Sequence, residues 1–156
     1  KGSPFALGLP GGVMASNGKF SEQWTILVAE DDPDDRLILQ AAFDAGGLST
    51  HLRFVTDGEE LMDFLNTNEH VEKGLSRYIL VLDLNMPKKD GRRALWEIRQ
   101  NPTLRHLPVV VLTTSSAEQD LEYCTKLGIS DYVTKPNNFD ELIEFANSIN
   151  QLCQIT

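Results

Sequence analysis

Only two cysteines, Cys124 and Cys153, occur among the 156 residues, and they stand far apart. That number cannot make a disulfide framework and that spacing makes no CxxC site, so free thiols in a reducing compartment are expected. Histidine is equally scarce: His51, His70 and His106 lie in polar stretches without metal-ligand spacing and read as surface residues. No apolar run approaches the ~20 residues needed to cross a bilayer, so no membrane association is expected. Nor does any segment join a basic start, an apolar centre and a small-residue cleavage site, and a cytoplasmic location is expected. Positive charge is in short supply, with 14 Lys and Arg against 23 Asp and Glu and a net charge of −9. Without a long basic run, direct nucleic-acid binding is disfavoured.

What is present is the composition of a soluble globular chain, 41% hydrophobic and 24% charged. The length suits one domain with a proper core. Residues 1–20 are rich in Gly, Pro and Ser and show no period. With Met14 as a plausible native start, this stretch reads as a vector-derived or disordered extension, and residues 21–156 as the single domain.

From Trp24 onward short apolar runs alternate with helical patterns. Ile26-Leu27-Val28 leads to Glu30-Asp31-Asp32, then Pro33 opens a helix that Gly46-Gly47 ends. Leu52 to Val55 suggests a second strand and Glu59 to Asn66 a second helix. Tyr78 to Leu82 and Val109 to Leu112 are continuous apolar runs, as expected of strands covered on both faces. Helices are expected over Arg92–Gln100, Ala117–Leu127 and Phe139–Leu152, and a short fifth strand over Tyr132–Thr134. The alternation predicts an α/β fold, a parallel five-stranded sheet wound on both faces by helices.

Each chemically suggestive residue follows an apolar strand. Glu30 and Asp31 follow the first, Asp83 ends the third, Thr113 ends the fourth and Lys135 follows the fifth. Open parallel sheets bind ligands beyond the carboxyl ends of their strands, so these groups converge on one edge. Carboxylates gathered there repel one another unless a cation joins them. Oxygen ligands without His or Cys select a hard cation, Mg²⁺ or Mn²⁺, and the Asn85 carbonyl adds a further oxygen. Asp83 then has the character of a carboxylate nucleophile for phosphoryl transfer, with Lys135 neutralising charge and the Thr113 hydroxyl donating to a phosphoryl oxygen.

The pieces VAEDD, VLDLNMPKKDG, VVVLTTS and DYVTKP, in that order and spacing, resemble a CheY-like response-regulator receiver domain from about Trp24 to Leu152. The resemblance implies a flavodoxin-like (βα)5 fold with strand order 2-1-3-4-5. It implies that Asp83 is the phosphoacceptor, that Glu30, Asp31, Asp83 and the Asn85 carbonyl hold Mg²⁺, and that Lys135 senses the phosphate. Thr113 becomes the switch hydroxyl and Tyr132 the aromatic partner that packs inward behind it. One departure is Glu30 where Asp is commoner, which implies metal held partly through water. A sensor histidine kinase is the implied phosphodonor. The implied output face joins helix 117–127, the strand at Tyr132 and the final helix, and it meets a second copy or a separate target protein. DLNMPKKDGR, LPVVVLTTS and the loop from Thr67 to Arg77 are further similar to stand-alone regulators of bacterial phytochrome kinases, which would make the donor a red-light sensor. A receiver fold that acts without phosphorylation stays open as the alternative. An aspartyl-phosphate hydrolase is disfavoured because Asn85 stands where a general acid would be needed, and a flavin binder because Glu30-Asp31-Asp32 replaces a phosphate loop.

Overall fold

Each apolar run forms a strand, and all five strands run in the same parallel sense. The computed structural model describes residues 24–47, 52–67 and 77–155. The elements in chain order are β1 (Trp24–Ala29), α1 (Pro33–Ala45), β2 (Leu52–Val55), α2 (Gly58–Thr67), β3 (Arg77–Leu82), α3 (Gly91–Gln100), β4 (Val109–Thr113), α4 (Glu118–Lys126), β5 (Asp131–Thr134) and α5 (Phe139–Ile155). The proposed extension over residues 1–20, His51, His70 and the loop between α2 and β3 lie outside the described residues.

All pairings are parallel and the sheet order is β2-β1-β3-β4-β5. Side chains alternate across a strand, so the register divides one sheet between two cores. Leu27, Leu80 and Val109 stand side by side on one face, and Val28, Val81 and Val110 on the other. The first row packs with Leu61 and Leu65 of α2, Leu95 and Ile98 of α3 and Cys124 of α4. The second packs with Leu39 and Phe43 of α1 and Phe145 and Ile149 of α5. This is why the runs in β3 and β4 are apolar throughout. Fully buried side chains such as these contribute about 1.5–3 kcal/mol each.

Local chemistry sets the helix starts around the sheet's carboxyl edge. Asp32 caps α1 by accepting from the Asp34 and Asp35 N–H groups at 2.8 and 3.4 Å, with Pro33 in the first turn. Asp90 caps α3 by accepting from Arg92 N–H at 2.7 Å. Helix α4 begins at Glu118, one residue later than the sequence pattern suggests, because Ala117 is extended and offers no capping side chain. Two glycines allow backbones to meet here. A Cβ on Gly91 would lie 2.3 Å from the Asp83 carbonyl oxygen, and one on Gly58 would lie 1.9 Å from that of Lys89.

At the opposite edge Arg99 of α3 reaches across to α4. Its guanidinium donates to the carbonyls of Leu127 at 2.6 Å, Leu107 at 2.8 Å, Gly128 at 3.0 Å and Arg105 at 3.1 Å. Both cysteines are free and buried, and His106 is exposed, as expected. Phe145 lies in the second core, while Tyr123 and Ile129 pack partly buried against the first.

Candidate functional site

The strand order reverses beside β1, which opens a crevice between the carboxyl ends of β1 and β3. Glu30 and Asp83 stand there, one residue past each strand. The Asp83 N–H donates to Ala29 O at 3.2 Å and the Glu30 N–H to Val55 O at 3.0 Å, which extends the ladders into the site. Both carboxylates are buried, Glu30 at 2% exposure and Asp83 at 5%, whereas Asp31 is exposed. One oxygen of each of these three acids lies within 4.8 Å of the others.

Lys135 comes from the end of β5, held by its N–H donating to Thr113 O at 2.8 Å. Its ammonium donates to Glu30 Oε1 at 2.6 Å, Asp35 Oδ2 at 2.9 Å and Asp83 Oδ2 at 3.3 Å. Asp35 is a member that sequence reasoning missed. It sits in the first turn of α1, four residues after Asp31, and an acid there also reads as ordinary helix-dipole compensation. Arg36 braces the same turn by donating to the Glu30 and Asp31 carbonyls, each at 3.0 Å.

The electrostatics follow from burial and crowding. Burial pushes the Glu30 carboxyl above its ordinary range, against hydrogen bonds from Lys135 and the Asp32 N–H. Burial also works against the Lys135 charge, but hydrogen bonds to Glu30 and Asp35 and the field of Asp83 outweigh it and hold the ammonium above its usual value. Four carboxylates (Glu30, Asp31, Asp35 and Asp83) face Lys135 and Arg36, so the crevice keeps net negative charge. The clustered donors are all oxygens, and two of the three acids of the cluster are buried and already gathered round a cation, the lysine. That set fits a hard divalent ion.

Asn85 lies beside the crevice, its N–H donating to Asp83 Oδ1 at 3.1 Å. Thr113 and Tyr132 form a second group. Among the described residues they bond to Ser115 rather than to the acids: Thr113 Oγ1 accepts from Ser115 N–H at 3.3 Å, and the Tyr132 hydroxyl donates to Ser115 O at 3.0 Å. Thr113 is fully buried and Tyr132 half-buried. Ser115 is itself tied to Asp120, and Asp120 to Arg92, a connection with no counterpart in the sequence patterns.

The model of the response regulator receiver domain family matches residues 26–147. The response regulator Rcp1 of Synechocystis sp. is 38% identical over 124 residues, which are 80% of this chain and 84% of that protein. The crystal structure of its Mn²⁺-bound form has a TM-score of 0.67 over 81% of this chain and 91% of that one. The phosphorylated cyanobacterial phytochrome response regulator RcpA, at 34% identity, has a TM-score of 0.72 over 83% and 93%. Among the described residues no helix is long and apolar enough to cross a membrane.

Proposed function

The chain belongs to the response regulator receiver domain family, and from that premise we propose that Asp83 accepts a phosphoryl group from a sensor histidine kinase with Mg²⁺ bound beside it. The observation that carries the assignment is the buried Asp83 carboxylate, held at the strand switch point within reach of both Lys135 and the Glu30–Asp31 pair. In the reaction an Asp83 oxygen attacks phosphorus, the bond from phosphorus to the kinase histidine breaks, and the imidazole departs with the displaced electron pair. Glu30, Asp31, Asp83 and the Asn85 carbonyl would hold the Mg²⁺, which neutralises charge on the transferring group. Mn²⁺ is a chemically equivalent occupant, and the Mn²⁺-bound form of Rcp1 supports a hard cation here.

Lys135 supplies a mobile positive charge that a phosphoryl oxygen draws away from Glu30 and Asp35. Thr113 turns its hydroxyl toward the same group, and Tyr132 follows through Ser115. The surface of α4, β5 and α5 is thereby reshaped, a population shift supplied by contacts to the phosphate. That surface passes the signal to a second copy or a separate target protein. Water later attacks phosphorus, releasing orthophosphate and restoring the Asp83 carboxylate. A red-light phytochrome kinase is the proposed donor, supported by the phytochrome regulator RcpA among the similar structures.

Incubation with acetyl phosphate and Mg²⁺, read by intact mass, tests the assignment. A gain of one phosphoryl group that depends on Mg²⁺ and vanishes in Asp83→Asn is expected. Equal labelling of Asp83→Asn would overturn it.

A further inference from the structure

Arg92, at the start of α3, is bonded to groups on three sides. Its Nε and Nη2 donate to the two Asp120 oxygens at 2.6 and 2.7 Å, a bidentate fork across to α4. Its Nη1 donates to its own helix cap, Asp90, at 3.0 and 3.1 Å, and to Leu84 O at 3.4 Å. Nη2 also reaches Asn85 Oδ1 at 3.4 Å. Asp120 then accepts from the Ser115 hydroxyl, and Ser115 offers its carbonyl to the Tyr132 hydroxyl at 3.0 Å. A continuous path of hydrogen bonds therefore runs from the loop after Asp83, through Arg92, Asp120 and Ser115, to Tyr132 on β5.

Every bond in that path is made by protein groups. No phosphoryl oxygen is needed to close it. Asp120 cannot drift from Ser115 without breaking the fork, because both of its oxygens are engaged by Arg92. The fork spans residues 28 apart in sequence, so it fixes α4 against α3 rather than stiffening one helix. Ser115 in turn holds the hydroxyl of Thr113 by its own N–H at 3.3 Å.

We propose that Arg92 is a positioning residue: by clamping Asp120 and Ser115 it sets the β4–α4 loop and holds Tyr132 in its half-buried place before any phosphoryl group arrives. Its relevance to signalling rests on the function proposed above, but the clamp itself does not. A lysine at this position has no fork and can hold only one Asp120 oxygen at a time, so Arg92→Lys retains the charge and loses the geometry.

The full chain, unphosphorylated and without Mg²⁺, is labelled with fluorotyrosine and followed by ¹⁹F NMR. Its three tyrosines give three signals, and Tyr132→Phe identifies the relevant one. In Arg92→Ala and in Asp120→Asn the Tyr132 signal should move toward the position of free fluorotyrosine, while Tyr78, remote on β3, stays in place. Arg92→Lys should fall between the two positions. Beryllofluoride with Mg²⁺ should shift the Tyr132 signal of the wild-type chain away from its unphosphorylated position, as the function proposed above requires. A Tyr132 signal that stays at the wild-type position in folded Arg92→Ala and Asp120→Asn overturns the proposal. If beryllofluoride has no effect on any form, the phosphorylation reading fails, while a shift in the unphosphorylated variants still upholds the clamp.

Discussion

Replacing Lys135 with methionine isolates the charge balance on which the site depends. The lysine side chain is 17% exposed and neutralises the buried side chains of Glu30 and Asp83 and the more exposed side chain of Asp35. Removing one partner of a buried ion pair typically costs about 3–5 kcal/mol. Two escapes reduce that here. Asp35 can turn to water, and Glu30, whose carboxyl burial already raises, can take up a proton. Lys135→Met should therefore lower stability by about 2–4 kcal/mol, roughly 5–15 °C in Tm. The pH dependence has a definite sign. With the lysine gone the folded-state Glu30 rises further, so the folded protein holds a proton that the unfolded chain has released. The penalty should shrink as pH falls from about 8 to 5. In a Glu30→Gln background the same substitution should cost less by about 1–3 kcal/mol. Urea denaturation of the four proteins at several pH values measures all of this. A penalty that ignores both pH and Glu30→Gln would refute the argument.

Mg²⁺ should stabilise the wild-type chain by about 2.7 kcal/mol at a hundredfold excess over its Kd. Denaturation with and without the ion measures this, and an undiminished gain in Asp31→Asn would remove Asp31 from the ligand set. Gly91→Ala should cost about 1–3 kcal/mol and slow labelling by acetyl phosphate, because its Cβ would meet the Asp83 carbonyl at 2.3 Å and displace Asp83; an unchanged rate and denaturation midpoint would contradict this. The hydrogen bonds of Arg92, then of Ser115, hold the Asp120 carboxyl down at about 2. A depressed carboxylate contributes stability above its unfolded value and loses it as pH falls through its folded one. The cost of Asp120→Asn should thus be about 1–2 kcal/mol near neutrality and fade between about pH 4 and 2, as read from stability against pH.

The fold was legible because both periodicity and punctuation agreed. Continuous apolar runs at Tyr78–Leu82 and Val109–Leu112 required two covered faces, and the two cores supply them. The acids at Glu30, Asp31 and Asp83 were legible because each follows such a run. Asp35 was not, since its lysine contact spans 100 residues and depends on how far β5 lies from α1. Arg92, Asp120 and Ser115 were hidden for the same reason, being three polar residues on separate segments with no period to connect them. Gly91 showed itself only as part of a motif. Its need for glycine arises from the Asp83 backbone, which the chain brings back against it.

Helix α4 buries only one residue completely, Cys124, so little apolar packing fixes its place. Two arginines of α3 hold it instead, one at each end. At the far end Arg99 grips four main-chain carbonyls, which no change of side chain or protonation can withdraw. At the near end Arg92 grips the Asp120 carboxylate and also reaches Asn85 in the loop after Asp83. The two moorings are unequal in kind. Any loosening of α4 that begins near Asp83 would start at the side-chain mooring, with the carboxyl end of the helix as its pivot.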